Sequence, residues 1–97
     1  GARFAHLLRL SGTSAREIDR LAGRSGASLS LLIHRSRTNP DAGIELDSAV
    51  RYCLVFGVNP MWVQLGVGKD PTAKSVRKAV QAARERLSAA SRRPEAA

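Results

Sequence analysis

The chain of 97 residues is long enough for one small domain, and its hydrophobic fraction of 43% is too high for a disordered polycation, so we expect a folded core. No uninterrupted apolar run approaches the roughly 20 residues that a membrane-spanning helix needs, which excludes an integral membrane protein. Sixteen basic residues against eight acidic ones give a formal charge of +8, and this excess predicts a polyanionic partner, most often nucleic acid, although a solvated basic face would have the same composition.

The first two predicted helices cover residues 2–10 and 15–22, because their apolar residues recur at helical spacing. Ser14 and Glu17 have the spacing of a capping box, in which the hydroxyl accepts a hydrogen bond from the first turn and the carboxylate reaches back. Gly23 follows the second helix, where a left-handed conformation costs glycine little. The sequence therefore predicts two short helices, the second of which ends at Gly23.

A third helix is predicted to begin after Ser25, because serine is a favoured N-cap. Its inward stripe is expected to consist of Leu29, Leu32 and Ile33. Residues 35–43 are rich in Ser, Thr, Asn, Pro, Asp and Gly, and Pro40 disfavours helix at the residue before it. This stretch is therefore predicted to be a loop.

Three further helices are predicted. The fourth covers residues 44–56, ends at Gly57, and is expected to turn inward Ile44, Leu46, Ala49, Val50, Cys53, Leu54 and Phe56. Asn59 is the expected N-cap of a fifth helix over residues 60–65, with proline at its first position. The sixth starts at about residue 70 and runs to about residue 90. Because no alternation typical of strands is visible, the predicted class is all-α.

The centre of the sequence has the pattern of a helix-turn-helix. A short turn containing glycine lets two helices cross steeply, and an exposed helix fits the major groove of DNA. The order of features resembles the lambda-repressor/Cro-type helix-turn-helix family over about residues 4–68. The matches are Leu-Ala-Gly at 21–23, Ser25, apolar Leu29 and Leu32, Asn39-Pro40 after a basic stretch, the run Phe56-Gly57-Val58, Trp62 and Gly66.

This resemblance implies a five-helix domain whose third helix enters the major groove, usually in a dimer on a palindromic operator, with Trp62 as the anchor of the fifth helix. The expected function is that of a sequence-specific DNA-binding transcriptional regulator of prokaryotic or phage type, acting as a repressor. Its expected partners are double-stranded DNA and a second copy of the chain, and its expected location is the cytoplasm, on the nucleoid.

The expected DNA contacts lie on and around the third helix. Arg24, Arg35 and Arg37 flank it and would bind phosphates, unless they are solvated surface arginines, and Arg16 lies in the first turn of the second helix. His34 would contact a base or phosphate, or act as an ordinary C-terminal helix cation. The full set of expected contacts is Ser14, Ala15, Arg16, Arg24, Ser25, Gly26, Ala27, Ser28, Ser30, Leu31, His34, Arg35 and Arg37.

Several departures from the family bear on specificity. The second helix has Ala15 where the family commonly has glutamine, and Ile33 replaces a glutamate. The outward positions of the third helix carry no Arg, Lys, Asn or Gln, whose bidentate base contacts are worth roughly 1–3 kcal/mol of discrimination. Strong specificity would then come from DNA shape or from arginines outside that helix. The alternative function is a protein-interaction module, such as an antitoxin or a regulator-binding protein, that uses the surface around Leu31.

The sixth helix carries an apolar seam in which Val76, Val80, Ala83 and Leu87 have the spacing of a and d positions. We expect this seam to form a homodimer, with packing against the chain's own domain, or a basic arm lying on DNA, as alternatives. Residues 1–68 are accordingly expected to form the helix-turn-helix domain, and residues 69–97 a C-terminal basic helix with a loose tail.

No catalytic chemistry is indicated by the sequence. Two histidines and one cysteine on separate helices do not suggest a metal site, and no nucleophile–base pair or phosphate-binding glycine loop is visible. We therefore expect no enzymatic activity and no cofactor. Cys53 is expected to be a packed hydrophobic residue, and a single cysteine excludes an internal disulfide, which suits a reducing cytoplasm.

Overall fold

The computed structural model describes residues 2–24, 28–38 and 46–92, and the regular structure in these ranges is α-helical throughout. The all-α class is thus confirmed. The helices in chain order are α1 (Ala2–Ser11), α2 (Ala15–Leu21), α3 (Ser28–Thr38), α4 (Leu46–Phe56), α5 (Pro60–Leu65) and α6 (Ala73–Arg92). The bounds of α5 are those predicted from its cap.

The third helix is longer at its C-terminal end than the sequence suggested. The Thr38 hydroxyl donates to the carbonyl oxygens of His34 and Arg35, at 3.1 and 3.3 Å, and so closes the last turn. The prediction of a loop from residue 35 is therefore wrong for residues 35–38. Residues 39–43 of that loop, the predicted cap Ser25 and the tail beyond residue 92 lie outside the described residues.

Local capping follows the sequence prediction, except that the Glu17 carboxylate pairs with Arg20 and does not reach back to Ser14. The Ser14 hydroxyl accepts a hydrogen bond from the Glu17 backbone N–H at 3.2 Å, and the Asn59 side chain accepts one from Met61 N–H at 2.8 Å. Gly23 has the left-handed φ of 72° predicted for the residue after α2. These interactions span two or three residues, which is why the sequence alone places the starts of α2 and α5.

One hydrophobic core joins the six helices of the described ranges. Its least accessible hydrophobic side chains are Phe4, Leu7, Ile18, Leu29, Tyr52, Cys53, Phe56, Val76 and Val80. The rings of Phe4 and Tyr52 meet edge to face, with centroids 5.9 Å apart. Trp62 on α5 is only 7% exposed, as predicted for an anchor of that helix, and its indole N–H donates to Asp70 at 2.9 Å.

The buried face of α4 differs from the predicted one. Tyr52 and Val55 are buried, whereas Leu54 is 68% exposed, so the prediction that Leu54 faces inward is wrong. The reason is helical phase: Ala49, Tyr52, Cys53 and Phe56 follow the i, i+3, i+4, i+7 spacing of one stripe, which places Leu54 on the other side. Cys53 is buried as predicted, and burial raises the pKa of its thiol to about 11.

The apolar seam of α6 belongs to the same core. Val76, Val80 and Ala83 are at most 6% exposed, because α6 packs against α1 and α4. This contradicts the predicted dimer seam at these three positions, since side chains already enclosed by their own chain are not accessible to a second copy; Leu87 is half-buried. The buried side of α6 therefore shares the core of the preceding helices.

A close approach between α4 and α6 fixes where α6 lies. Gly57, at the C-terminal end of α4, has φ of 70°, and a Cβ at this position would lie 2.6 Å from the Cβ of Ala79. Only glycine satisfies both conditions, because it tolerates a left-handed backbone and leaves space for the neighbouring helix. The small residues Gly57 and Ala79 therefore let the two helices meet.

Candidate nucleic-acid interface

The outer surface of α3 is exposed along its whole described length. Ser30, Leu31 and His34 face solvent, with Leu31 53% exposed, while Leu29 on the opposite side is fully buried. Arg35 and Arg37 are exposed in the last turn. Leu32 and Ile33 are half-buried against the core, so the predicted inward stripe is confirmed in position. The exposed side of α3 thus combines a neutral first half with a basic end, and α3 contains no acidic residue.

The position of α3 is held by a buried carboxylate that the sequence analysis did not single out. Asp19 on α2 is 1% exposed, and its two oxygens accept hydrogen bonds from the Leu29 backbone N–H at 3.2 and 3.3 Å. The Tyr52 hydroxyl on α4 donates to the same carboxylate. Asp19 therefore connects three helices and satisfies a first-turn N–H of α3, an otherwise unpaired group.

A signal for Asp19 was present in the sequence. Residues 15, 18, 19 and 22 are spaced i, i+3, i+4 and i+7, and the other three are Ala15, Ile18 and Ala22, which all pack in or against the core. An acid at an inward position of an amphipathic helix must find hydrogen-bond donors when buried. Its partners, however, come from α3 and α4 and are not indicated by local spacing.

The Tyr52 hydroxyl is perturbed by this environment. Burial raises the pKa of Tyr52 above its ordinary value, and the hydrogen bond to Asp19 and the negative charge of that carboxylate raise it further. A hydrogen bond with Ser28 and the positive charge of Arg24 act in the opposite direction. The phenol is thus held as a donor to Asp19 at neutral pH.

Three of the expected DNA contacts are half-buried. Ser28 is half-buried and interacts with Tyr52, and Ala15 is half-buried against the core. Arg24 is half-buried too, and its guanidinium donates to the hydroxyl of Ser48 in the first turn of α4. These three positions are therefore less accessible to DNA than the exposed Ser30, Leu31 and His34. Ser25, Gly26 and Ala27 lie outside the described residues.

Alongside α2 runs an open cleft of about 380 Å³. Exposed Ser14 and Arg16, two of the expected DNA contacts, line it. Among the described residues its lining consists of three cations, two acids and one serine: Ser14, Arg16, Glu17, Asp19, Arg20 and Arg24. The Glu17 carboxylate pairs with Arg20 and therefore compensates part of this positive charge.

Other classes of site are not visible in the part of the chain that the structure describes. No group of three or more His, Cys, Asp or Glu side chains is placed there to hold a metal ion. No helix among the described residues has the length and apolarity to cross a membrane. Comparison of the sequence with known protein families found no match, and neither did comparisons with curated proteins or with solved structures.

Proposed function

We propose that this chain is a sequence-specific DNA-binding transcriptional regulator of prokaryotic or phage type, of the lambda-repressor/Cro-like helix-turn-helix kind, that acts as a repressor in the cytoplasm. The single observation that carries this proposal is the presentation of α3. One side of the helix is fixed in the core through Leu29, and the other side offers Ser30, Leu31 and His34 to solvent. An α-helix presented in this way has the width of the major groove.

The charges around α3 favour the same partner. Arg35 and Arg37 are exposed at its C-terminal end, Arg16 is exposed on α2, and α3 itself has no acid that would repel phosphate. In this proposal Ser30 and Leu31 contact base edges, the latter a thymine methyl group, while the arginines bind the flanking phosphates. No cofactor is needed for such binding.

The deciding experiment is selection of bound duplexes from a random DNA library, followed by a mobility-shift assay across salt. An enriched inverted repeat, with affinity that falls steeply between about 50 and 200 mM salt, is the expected result. Arg35→Ala with Arg37→Ala should weaken binding to all duplexes about equally, whereas Ser30→Ala should change the preferred sequence. Failure to bind any duplex, or binding that is insensitive to salt, would refute the proposal.

Exposure of Leu31 supports a second candidate function, that of a protein-interaction module such as an antitoxin or a regulator-binding protein. A leucine that is 53% exposed near the middle of α3 is suited to an apolar contact with a protein. Its exposed neighbours Ser30 and His34 are not among the residue types that make bidentate contacts to bases. A partner captured from the native host whose binding is lost with Leu31→Glu, together with absence of DNA binding, would favour this candidate over the first.

A homodimer remains part of the main proposal, but its surface must differ from the predicted one. Since Val76, Val80 and Ala83 are enclosed in the core, we propose instead the exposed apolar pair Met61 and Leu65, which are four residues apart on α5 and 47% and 62% exposed. Sedimentation equilibrium of the wild type and of Met61→Glu with Leu65→Glu tests this: a wild-type dimer and a monomeric variant are expected.

A further inference from the structure

We propose that α6 supplies a second phosphate-binding surface, formed by Arg77 and Arg84 where these side chains lie against the turn between α1 and α2. The ligand is the sugar-phosphate backbone of the DNA duplex that α3 is proposed to enter, so the inference rests on the proposed function. It extends the interface from the helix-turn-helix to the C-terminal helix.

The core determines the direction in which these arginines point. Val76, Val80 and Ala83 are buried against α1 and α4, and this fixes the rotation of α6 about its axis. Arg77 and Arg84 are seven residues apart, and at 3.6 residues per turn they lie about 20° from each other around the helix. Both therefore flank the buried stripe on the same side.

Contacts with the α1–α2 turn show what lies on that side. The Arg84 guanidinium donates to the Thr13 hydroxyl at 3.1 Å, a contact that spans 71 positions of the chain. Arg77 lies over Gly12, since a Cβ at Gly12 would be 3.6 Å from its Nη2 and 3.7 Å from its Nε. Two guanidinium groups from one helix thus converge on two adjacent residues of the turn.

Continuity with the proposed DNA surface comes from Glu17. The Arg84 Nε lies 3.9 Å from its Oε1, and the same oxygen binds Arg20. Glu17 lines the cleft together with Arg16, so Arg84 stands at the edge of that cleft. One carboxylate shared between two arginines leaves a net positive charge.

The arginines retain capacity for a further anion. Arg84 donates one hydrogen bond to Thr13 and forms a long ion pair with Glu17, while its side chain is 39% exposed. Because a guanidinium has five N–H donors, some of them remain for an anion. Arg77 is an exposed residue. Arginine is also the side chain best suited to bidentate contact with phosphate.

A purely structural role is the competing explanation. A cation beside Gly12 would stabilise the C-terminal end of α1 through the helix dipole without any DNA. The experiment must therefore measure how binding depends on salt, a property that a structural tether would not change, and compare two variants that remove equal charge from α6.

The test variant is Arg77→Gln with Arg84→Gln, and the control is Lys74→Gln with Lys78→Gln. These lysines are exposed on α6 and, by helical geometry, lie on the side opposite the buried stripe. Binding of the full chain to a short fluorescent duplex of mixed sequence is followed by anisotropy from about 50 to 200 mM salt, the range in which phosphate contacts are most evident. Far-UV circular dichroism melts of each variant accompany the titrations.

The slope of log K against log salt is negative, and each phosphate contact contributes about −0.9 to it. For the arginine variant we expect this slope to be less steep by about two. A fourfold rise in salt should then weaken its binding about tenfold less than that of the wild type, while the lysine variant keeps the wild-type slope. If the double variant fails to fold, Arg77→Gln alone is tested, because it leaves the Arg84–Thr13 hydrogen bond intact. Its slope of log K against log salt should be less steep than that of the wild type by about one.

Two outcomes overturn the inference, and they are distinguishable. If the wild type binds the duplex with a steep salt dependence but the arginine variant has an unchanged slope, or the lysine variant loses as much, the α6 surface is refuted and the proposed function stands. If the wild type binds no duplex at any salt concentration, the proposed function fails as well.

Discussion

Replacement of Asp19 by asparagine should destabilise the fold more than its single atom change suggests. The carboxylate is buried and accepts from the Leu29 N–H and the Tyr52 hydroxyl. Hydrogen bonds to charged groups contribute about 1.5–3 kcal/mol each, and the asparagine amide must turn its NH₂ toward one of these donors. The Tyr52 hydroxyl can reverse and accept, but the Leu29 N–H cannot. We therefore expect the free energy of unfolding to fall by about 2 kcal/mol.

Urea denaturation followed by circular dichroism measures this loss. The matched control is Asp47→Asn, because Asp47 pairs with Arg51 at 3.1 Å on an exposed face, with side chains 61% and 46% accessible. Such a surface pair is worth well under about 1 kcal/mol. Tyr52→Phe should cost a similar amount to Asp19→Asn, and the double variant should cost less than the sum of the two, because Asp19→Asn removes the charge from the same hydrogen bond that Tyr52→Phe removes entirely.

Equal destabilisation by Asp19→Asn and Asp47→Asn would refute the reasoning, because it would mean that the buried carboxylate contributes no more than a solvated one. Strict additivity of Asp19→Asn and Tyr52→Phe would refute the hydrogen bond between them. A mobility-shift assay on Asp19→Asn under conditions where it is folded then reports whether the orientation of α3 affects the proposed DNA binding.

Two further predictions concern packing and pH. Gly57→Ala should lower the free energy of unfolding by about 2–4 kcal/mol in urea titrations, because it adds a clash with Ala79 to a strained left-handed residue. If adding Ala79→Gly to the same variant recovers none of this loss, the clash is not its cause. The Cys53 thiol has its pKa raised from 9.0 to about 11, so its contribution to stability is complete below pH 9 and is lost as the pH rises to 11. Cys53→Ala should therefore show a smaller fall in unfolding free energy over that range, and an unchanged pH dependence would contradict the burial of the ionisable thiol.

The sequence by itself determined the features that close within a few residues. The Ser14 and Asn59 caps, the left-handed Gly23 and the bounds of α5 were predicted because each depends on backbone groups two or three positions away. The all-α class followed in the same way from periodicity. The exposed side of α3 at Ser30 could also be read from its spacing, since Leu29 had to be buried.

Only the tertiary structure decided which groups meet across long separations. Tyr52 reaches Asp19 over 33 positions and Arg84 reaches Thr13 over 71, and no local pattern specifies such pairs. The apolar seam of α6 fitted a second copy as well as its own core on spacing alone. Burial of Val80 within the chain resolved this ambiguity. The hydrophobic effect favours any packing that removes the apolar stripe from water, and in this chain α1 and α4 already pack against it.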